Sequence, residues 1–364
     1  MKRPVIGIDA RYGLQNPRRG IGEYVYQLLR HLADMPRLYD LHLFGDERAD
    51  NDMVNLFRAA YRTDILKAPN FLLWEQGAFA HAAKDLDLIH GTANIGPART
   101  RGPLVLTVHD VIEWHRGKDF GGRIPLRHHV SRFYRMNMLK YLARRSALIF
   151  TVSRHAACDI QKTLQVAAQK IVVTPLAPKY QADAVCWPKQ PFVLVLGAMD
   201  PRKNLGVIMK TAALLEDRRI LFKIVGIEPR HLTAVAKTHA IPANVELHPM
   251  IDDAILAELY AKAALFVYPS LYEGFGLPIL EAMALGCPVL TGLNSSLPEV
   301  AGQAAVFVDP LDSGPLAQSI GEIMANAEQL WDMACQGQKQ ARRFSWQQTA
   351  DLTHDGYQRV LAMN

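Results

Sequence analysis

The sequence predicts an α/β protein made of two domains, each a doubly wound parallel sheet covered by helices. Short apolar runs alternate with segments of helical pattern along most of the 364 residues. The runs are continuously apolar, as expected of strands buried on both faces. A proline-rich break between Pro175 and Pro191 separates two halves that repeat this order. Ligands of such sheets bind at the carboxyl ends of the strands, which predicts a site in a cleft between the domains.

The N-terminal half contains predicted strands and helices in alternation. The strands are short apolar runs: Val5–Asp9, Leu41–Phe44, Leu86–His90, Leu104–His109, Ala147–Val152 and Ile171–Thr174. The helices are longer segments with apolar residues at helical spacing: Gly22–Ala33, Phe71–Lys84, Arg127–Arg144 and Ser153–Leu164. Ser153 is a favourable N-cap for the last of these. No element is assigned between Asp46 and Ala68.

The C-terminal half repeats the pattern. Its predicted strands are Phe192–Gly197, Ile220–Val225, Val245–Leu247, Leu265–Pro269, Pro288–Leu290 and Ala304–Val308. Its predicted helices are Asn204–Glu216, Pro229–His239, Asp252–Ala263, Leu277–Leu285, Pro315–Ala327 and Ser345–Leu361. We therefore expect domains at residues 1–180 and 181–345, with residues 346–364 forming a helix that crosses back to the first domain.

Composition excludes several protein classes. Hydrophobic residues make up 49% and charged residues 21% of the chain, which excludes disordered, collagen-like and coiled-coil proteins. No apolar run approaches the roughly 18 residues of a membrane span, and no signal peptide is predicted. The four cysteines lack CxxC spacing. This argues against a disulfide framework or a zinc site and favours a reducing cytosol.

The formal charge of +6 is unevenly distributed along the chain. Residues 1–185 hold 27 Lys and Arg against 17 Asp and Glu, a formal charge of +10. Residues 186–364 hold 14 against 18, a charge of −4. This asymmetry predicts an anionic partner for the N-terminal half, either a membrane or a nucleic acid, unless the charges form a solvated surface.

Residues 268–290 carry the strongest functional pattern. A predicted strand ends in a glycine-containing loop that leads into a helix with a proline in its first turn. Glu273 lies in the loop and Glu281 lies inside the helix. Gly274 and Gly276 allow backbone N–H groups to approach a ligand closely. These residues predict a site for a polar ligand with two carboxylates.

This segment resembles the Glu-x7-Glu signature of retaining GT-B glycosyltransferases, specifically glycosyltransferase family 4. The resemblance implies the GT-B fold, in which two Rossmann-like domains face a cleft. It also implies that Glu273 is catalytic and binds hydroxyls of the donor sugar, and that Glu281 binds the ribose of the donor nucleotide. The backbone facing the sugar and diphosphate would be that of Gly274, Phe275, Gly276 and Leu277.

Arg202 and Lys203 lie between a predicted strand and a predicted helix. Cations at this position form an anion site together with the helix dipole, and Arg can hold a phosphate through two N–H groups. The two residues resemble the Arg-Lys pair that the family places on the donor diphosphate. The resemblance therefore gives both of them a catalytic role.

Two further resemblances lie in the N-terminal half. The sequence Gly-Ile-Gly-x-Tyr that begins at Gly20 is similar to the family's glycine-rich loop, in a form found in its mannosyltransferase-like members. Gly20 and Gly22 are then donor-binding, and Arg18 and Arg19 are candidate acceptor or phosphate contacts. His109, at a strand end, could by itself be a general base, a metal ligand or a buried polar group. The family resemblance makes it a catalytic residue near the reacting sugar.

The resemblance implies transfer of mannose or a related hexose, with retention, from a nucleotide diphosphate sugar to a glycan or lipid-linked acceptor. GDP-mannose is favoured over UDP-sugars, and surface polysaccharide biosynthesis is the expected setting. Cations and loop amides would stabilise the leaving diphosphate, which can itself accept the acceptor proton. Eight residues of helix would separate the two carboxylates by about 12 Å, farther than in a glycosidase pair. No Asp-x-Asp motif is recognised in the chain, so we expect neither a metal nor a cofactor.

A basic segment, Arg116–Arg145, contains nine Lys and Arg and one acidic residue, Asp119. Arg132, Lys140 and Arg144 share one helical face. A second face contains Val130, Phe133, Tyr134 and Tyr141. This pattern predicts an amphipathic helix on an anionic membrane and hence a cytoplasmic protein at the inner face of the cell membrane, unless the helix packs on the sheet with a solvated basic face. No nucleic-acid partner is expected, because no binding module accompanies the charge.

Two other functions remain open. A nonhydrolysing nucleotide-sugar epimerase would share the two-domain architecture, and a degenerate transferase would bind a sugar nucleotide without turnover. The combination of the Arg-Lys pair with the two Glu residues favours transfer over both.

Overall fold

The computed structural model describes residues 2–115, 126–197 and 199–363, and for residues 126–130 it describes the backbone only. The described chain divides into two compact units. The N-terminal unit holds the described residues up to Leu176 together with those from Ser345 onward, and the C-terminal unit holds Ala177–Phe344. The division thus lies four residues before the expected boundary at residue 180.

The N-terminal unit contains a parallel sheet of seven described strands. In chain order they are β1 Val5–Asp9, β2 Asp40–Gly45, β3 Arg62–Ile65, β4 Leu88–Gly91, β5 Leu104–Thr107, β6 Leu148–Thr151 and β7 Ile171–Val173. Their spatial order is β3-β2-β1-β4-β5-β6-β7. Every residue of β4, β5 and β6 is buried, which accounts for their continuously apolar sequences.

The helices of this unit cover both faces of its sheet. They are α1 Ile21–Ala33, α2 Asn51–Arg58, α3 Phe71–Leu73, α4 Ala80–Ala82, α5 Ile112–His115, α6 Leu126–Arg145 and α7 Arg154–Leu164. A π-helical turn, Trp74–Phe79, joins α3 to α4, so the helix predicted over Phe71–Lys84 is not a regular α-helix. The Ser153 hydroxyl accepts from Ala156 N and caps α7 as predicted. Elements α2 and β3 lie in the stretch left unassigned from the sequence.

The C-terminal unit contains a second parallel sheet of six described strands. They are β8 Gln190–Leu196, β9 Leu221–Val225, β10 Val245–His248, β11 Ala263–Tyr268, β12 Val289–Gly292 and β13 Ala305–Val308. Their spatial order is β10-β9-β8-β11-β12-β13. The helices are α8 Leu205–Leu214, α9 Pro229–Thr238, α10 Asp253–Lys262, α11 Leu277–Ala284, α12 Leu297–Ala301, α13 Ser313–Met324 and α14 Ala327–Ala341.

The last helix, α15 Trp346–Leu361, belongs to the N-terminal unit. Its Tyr357 hydroxyl lies 2.6 Å from Nδ1 of His90 on β4. His354 Nδ1 lies 2.7 Å from the Tyr39 hydroxyl. These contacts attach the end of the chain to the first sheet by buried hydrogen bonds.

Both sheets reverse their strand order once. The reversal lies between β1 and β4 in the first sheet and between β8 and β11 in the second. In doubly wound sheets a ligand binds outside the carboxyl ends of the strands at such a point. The loops that follow these four strands are therefore where functional residues are sought.

Candidate active site

Three loops lie close together at the carboxyl ends of β8, β11 and β12, which are neighbours in the second sheet. The loop after β8 contains a 3₁₀ turn, Pro201–Lys203, with Asp200 as its N-cap. The loop after β11 contains Glu273, and the loop after β12 contains residues 294–296. Lys203 and Glu273, predicted from separate motifs, thus flank the strand-order reversal of this sheet.

Glu273 is the centre of the polar contacts in these loops. Its Oε1 atom lies 2.9 Å from Lys203 Nζ and accepts hydrogen bonds of 2.7 Å from both the Tyr268 and Ser270 hydroxyls. Lys203 Nζ also donates to the Tyr268 hydroxyl. The side chains of Lys203 and Glu273 are 19% and 13% exposed, so the ion pair is largely removed from water.

The surroundings of Glu273 keep it ionised. Burial alone would raise the pKa of its carboxyl, but the charges of Lys203 and Arg202 and the Ser270 hydrogen bond outweigh burial and lower the pKa. Burial and the neighbouring carboxylate raise the pKa of Tyr268 well above its ordinary value. The site therefore holds a carboxylate next to a phenol that keeps its proton.

Residues 294–296, which we call the clasp loop, hold the backbone around Glu273. Asn294 Nδ2 donates to the carbonyls of Ser270 and Leu271 at 3.1 and 2.7 Å. Glu273 N donates to Ser295 Oγ at 3.1 Å, and Ser296 Oγ donates to the Glu273 carbonyl at 2.9 Å. Such contacts between side chains and backbone leave no periodic signal in the sequence.

Arg202 lies beside the same loops. Its Nε and Nη2 atoms lie 3.0 and 2.8 Å from Asp200 Oδ2, and its carbonyl accepts from Leu271 N at 2.8 Å. Both cations predicted to meet a diphosphate therefore face a carboxylate of the protein.

The remaining predicted donor-binding residues surround the start of α11. Gly276 is the N-cap, with a φ of 108°, and a Cβ on it would lie 3.0 Å from Leu297 Cδ2. Glycine is therefore required there. Gly274 and Phe275 are buried in the preceding loop, and Leu277 is the first residue of the helix.

Glu281 lies inside α11 and is 9% exposed. Because the helix begins at Leu277, only the last part of the chain between Glu273 and Glu281 is helical. The estimate of about 12 Å between the two carboxylates, which assumed eight helical residues, was therefore made on a wrong premise.

In the N-terminal unit, His109 follows β5 and is 7% exposed. Its Nε2 lies 2.9 Å from the Thr92 carbonyl, and its backbone N donates to Asn94 Oδ1 at 2.7 Å. Burial lowers the pKa of His109 to about 4, so the ring is neutral at pH 7. Since a carbonyl only accepts, Nε2 carries the proton and Nδ1 is the unprotonated nitrogen.

A buried charge cluster at the end of β1 was not predicted from the sequence. Arg11 Nε and Nη2 contact the two carboxylate oxygens of Asp9 at 2.9 and 2.6 Å, and Nη2 lies 3.0 Å from Glu75 Oε1. The guanidinium stands over the Trp74 ring at 3.9 Å. Burial raises the pKa of Glu75 to about 8, although Arg11 opposes this shift. Glu75 lies within the helix pattern 71–84, and nothing in that pattern indicates a contact with Arg11.

The predicted glycine-rich loop of this unit leads into α1. Gly20 is the N-cap, with a φ of 50°. A Cβ on Gly22 would lie 2.8 Å from the Tyr12 carbonyl, so this position allows only a glycine. Arg19 is exposed, whereas Arg18 is 16% exposed and lies over the Tyr26 ring at 3.8 Å.

Helix α6 does not separate basic and aromatic faces as predicted. Arg132 Nε donates to the Glu113 carbonyl at 3.0 Å, and Arg144 Nε donates to the Leu164 carbonyl at 3.3 Å. Phe133 is 72% exposed. Lys140 is half-buried and Tyr141 is exposed.

Tyr134 was predicted to share a face with the other aromatic residues. In the structure its hydroxyl lies 3.2 Å from Gln76 Nε2. The predicted separation fails because some of the basic side chains hold neighbouring segments. Asp119 and the first part of the basic segment, as well as the Val130 side chain, lie outside the described residues.

The expectation that no Asp-x-Asp motif is present was wrong, because triplets occur at residues 50–52 and 85–87. The first caps α2, where the Asp50 side chain accepts from Asp52 N and Met53 N. The second precedes β4, at the amino edge of the sheet, where Asp87 Oδ2 accepts from Val5 N at 2.7 Å and Asp85 pairs with Arg101 at 2.8 Å. Over the part of the chain that the structure describes, no cluster of three or more His, Cys, Asp or Glu suits a metal ion. Among the described helices, none is long and apolar enough to cross a membrane.

Comparison with known proteins gives the family. Residues 18–177 match the family model described as glycosyltransferase family 4, and residues 181–340 match that of glycosyl transferases group 1. O-antigen chain mannosyltransferase B of Escherichia coli is 29% identical, over 96% of this chain and 98% of that protein. The MMP alpha-(1->4)-mannosyltransferase of Mycolicibacterium hassiacum is 30% identical, over 83% of this chain and 75% of that protein.

Solved structures share the fold over the whole chain. Sucrose-phosphate synthase from Thermosynechococcus elongatus superposes with a TM-score of 0.77 at 20% identity, covering 100% of both chains. HepE of Anabaena in complex with UDP-glucose gives 0.73 at 15% identity, covering 98% of this chain and 99% of that chain. The predicted family and fold class are confirmed: the chain belongs to glycosyltransferase family 4 and has its GT-B fold.

Proposed function

We propose that this glycosyltransferase moves mannose or a related hexose, with retention of configuration, from a nucleotide diphosphate sugar to a glycan or lipid-linked acceptor. Surface polysaccharide biosynthesis is its proposed setting, and GDP-mannose is the favoured donor. The names of the two mannosyltransferase relatives support the sugar and the setting. The HepE complex with UDP-glucose supports a sugar nucleotide as donor, and it also keeps UDP-sugars as the competing donor class.

The observation that carries the proposal is the Lys203–Glu273 pair at the strand-order reversal of the C-terminal sheet. A carboxylate kept ionised by two cations is suited to accept hydrogen bonds from sugar hydroxyls. A lysine beside it is suited to a phosphate. The start of α11 adds backbone N–H groups to the same loop. One site thus offers acceptors for a sugar and donors for a diphosphate.

In the proposed mechanism, the bond between the anomeric carbon and the diphosphate breaks first, and negative charge builds on the leaving oxygen. Lys203, Arg202 and the loop amides stabilise this charge because they are already oriented. The acceptor hydroxyl attacks the oxocarbenium-like sugar from the face that the diphosphate leaves. The diphosphate takes the acceptor proton. Neutral His109 accepts a hydrogen bond from the donor sugar through Nδ1 and does not act as a strong base. The proposed mechanism requires no metal.

The donor is tested with purified protein and a panel of GDP-mannose, GDP-glucose and UDP-glucose, measuring nucleoside diphosphate release with an oligosaccharide acceptor. We expect GDP-mannose to be turned over fastest, and the anomeric protons of the product to show the same configuration as the donor. An inverted product would overturn retention, and faster turnover of UDP-glucose would overturn the donor assignment. Turnover unchanged by EDTA is expected, and its loss would overturn metal independence.

The nucleotide site is tested by thermal shift. We expect GDP to stabilise the wild type, and Glu281→Ala to reduce this stabilisation strongly because the ribose contact is lost. Glu322→Ala, an exposed residue of α13, is the matched control and should behave as the wild type. Equal stabilisation of both variants by GDP would show that Glu281 is not part of the site.

We also propose that the protein is cytoplasmic and binds an anionic membrane surface through the exposed side of α6. Phe133 is 72% exposed, and Lys140 lies on the same side of the helix. Phe133→Ser and Lys140→Glu are better tests than substitutions of Arg132 and Arg144, which hold neighbouring segments. Both variants should reduce cosedimentation with phosphatidylglycerol vesicles. The control Lys210→Glu, on exposed α8 surface, should not, and equal binding by all variants would refute the membrane proposal.

A second candidate function is epimerisation of the nucleotide sugar without transfer. A nucleotide-sugar epimerase would share the two-domain architecture. Analysis of the donor after incubation without acceptor distinguishes epimerisation from transfer. Appearance of an epimeric nucleotide sugar would favour the epimerase. Its absence, together with acceptor-dependent release of nucleoside diphosphate, would favour transfer and would also exclude a non-catalytic binding protein.

A further inference from the structure

The two oxygens of the Glu273 carboxylate have different surroundings. Oε1 accepts hydrogen bonds from Lys203, Tyr268 and Ser270 at 2.7 to 2.9 Å. Among the described residues, none forms a hydrogen bond with Oε2. Three donors on one oxygen fix the rotation of the carboxylate and leave the other oxygen to receive a ligand.

Tyr268 is the residue that joins the two charged groups. Its ring is buried at the end of β11, 1% exposed, and stacks on Phe266 with ring centroids 5.6 Å apart. Its hydroxyl accepts from Lys203 Nζ and donates to Glu273 Oε1. A buried and stacked phenol therefore sets the position of a lysine and of a carboxylate that lie in different loops.

This arrangement has a consequence when a diphosphate arrives. A lysine ammonium has three N–H donors, and two of those of Lys203 are used by Tyr268 and Glu273. The third is available to a phosphate while the other two contacts persist. If Lys203 turns fully toward the phosphate, Tyr268 and Ser270 still hold Glu273 Oε1, so the orientation of Oε2 is retained.

We infer that Tyr268 is a positioning residue for the transfer reaction: it holds Glu273 so that Oε2 meets a hydroxyl of the donor hexose, while it directs Lys203 toward the diphosphate. This inference rests on the proposed function, since it requires a sugar nucleotide as donor. Tyr268 itself does not contact the reacting atoms, because its hydroxyl is occupied by the two side chains that it positions.

The test compares Tyr268→Phe with Tyr260→Phe. Tyr260 is a matched control, because it is equally buried in the same unit and its hydroxyl has no hydrogen-bond partner among the described residues. We expect Tyr268→Phe to lower kcat for GDP-mannose about 10- to 100-fold, the range of one lost hydrogen bond to a charged group. KM should change less than kcat, and Tyr260→Phe should resemble the wild type.

Deoxy donors add a readout that a merely structural role would not change. GDP-mannose analogues lacking single hydroxyls are assayed with the wild type and with Tyr268→Phe. For the hydroxyl that meets Oε2, the wild type should lose rate with the deoxy donor, and Tyr268→Phe should lose much less, because the contact is already impaired. Equal losses in both proteins for every analogue would overturn the inference.

The two levels of the proposal can fail separately. Turnover by the wild type with Tyr268→Phe indistinguishable from Tyr260→Phe would overturn the positioning role and leave the proposed function standing. A wild type inactive on every GDP- and UDP-sugar would overturn both. If Tyr268→Phe does not fold, Ser270→Ala removes another hydrogen bond to Oε1 and should show the same pattern with the deoxy donors; equal losses there would overturn the inference.

Discussion

The Lys203–Glu273 pair allows the site to be tested without any substrate. The two charged atoms are 2.9 Å apart, with side chains 19% and 13% exposed. Exposed pairs contribute about 0–1 kcal/mol, and breaking a fully buried pair costs about 3–5 kcal/mol. This pair is close to the buried limit, so we expect Lys203→Met to lower the free energy of unfolding of the C-terminal unit by about 2–3 kcal/mol at pH 7.

The effect should depend on pH with a definite sign. The folded pKa of Glu273 is lowered from its ordinary value of 4.5 because its cationic neighbours outweigh burial. Its charge therefore stabilises the fold fully above about pH 4.5, and this contribution is lost as the pH falls through the lower folded value. In Lys203→Met, the charge that opposed the effect of burial on the pKa of Glu273 is removed, so the carboxyl takes up a proton more readily. The difference between wild type and variant should shrink below pH 4.5.

The assay is urea unfolding followed by tryptophan fluorescence, since Trp187 and Trp331 lie in the C-terminal unit with ring centroids 5.4 Å apart. Wild type, Lys203→Met, Glu273→Gln and the double variant form a cycle that isolates the pair. Lys262→Met, from an exposed pair on α10, is the control and should show no measurable change. A Lys203→Met effect equal to the control at pH 7, or one that does not shrink on acidification, would refute the reasoning.

Three further predictions concern both units. Tyr357→Phe removes the hydroxyl that lies 2.6 Å from His90 Nδ1. It should lower the free energy of unfolding by about 1–3 kcal/mol, measured as a fall in the melting temperature of the N-terminal unit. An equal fall for Tyr141→Phe, a control at an exposed residue, would contradict this. Burial lowers the pKa of His90 to about 3 and of His109 to about 4, so stability should fall as the pH drops below 6.5 toward these values. A melting temperature constant from pH 7 to pH 4 would contradict it. Ser296→Ala loosens the clasp loop and should lower kcat/KM for the donor about tenfold or more, whereas unchanged kinetics would show that the loop is held without it.

The sequence was sufficient for the order of most elements because both sheets are covered on both faces. Buried parallel strands are continuously apolar, and each predicted strand was found within a few residues of its expected limits. Helix α14 was missed because, beyond Leu330 and Met333, its buried face consists of small and polar residues: Ala334, Gly337, Gln338, Gln340 and Ala341. Gly337 on that helix packs against Met283, where a Cβ would lie 3.2 Å from Cγ. A period carried by alanine and glycine is invisible to a hydrophobic pattern.

The candidate site was predictable only in part. Lys203 and Glu273 were found because each follows a predicted strand, and parallel strands have their carboxyl ends at one edge. Their companions Tyr268, Ser270 and Ser296 could not be found in this way. Their roles depend on individual contacts with Glu273 that span 3 to 23 positions of sequence. Tyrosine at a strand end and serine in a loop are ordinary residues at such positions.

Lys203 and Arg202, the cations proposed to bind the diphosphate, are each neutralised by a carboxylate of the protein. Lys203 faces Glu273, and Arg202 faces Asp200 at 2.8 Å, so these four side chains are neutral as a set. Glu273 is held by neutral hydroxyls as well, whereas Asp200 is tied to the turn as the N-cap that accepts from Arg202 N at 3.1 Å. Asparagine caps a turn as well as aspartate, so Asp200→Asn should keep the turn while removing one negative charge. If Arg202 serves the diphosphate, this variant should bind GDP more tightly in titration calorimetry. If Asp200 instead orients Arg202 for contact with the diphosphate, GDP should bind more weakly to this variant. The negative charge of Asp200 would then be needed to hold Arg202 in the geometry that binds the diphosphate.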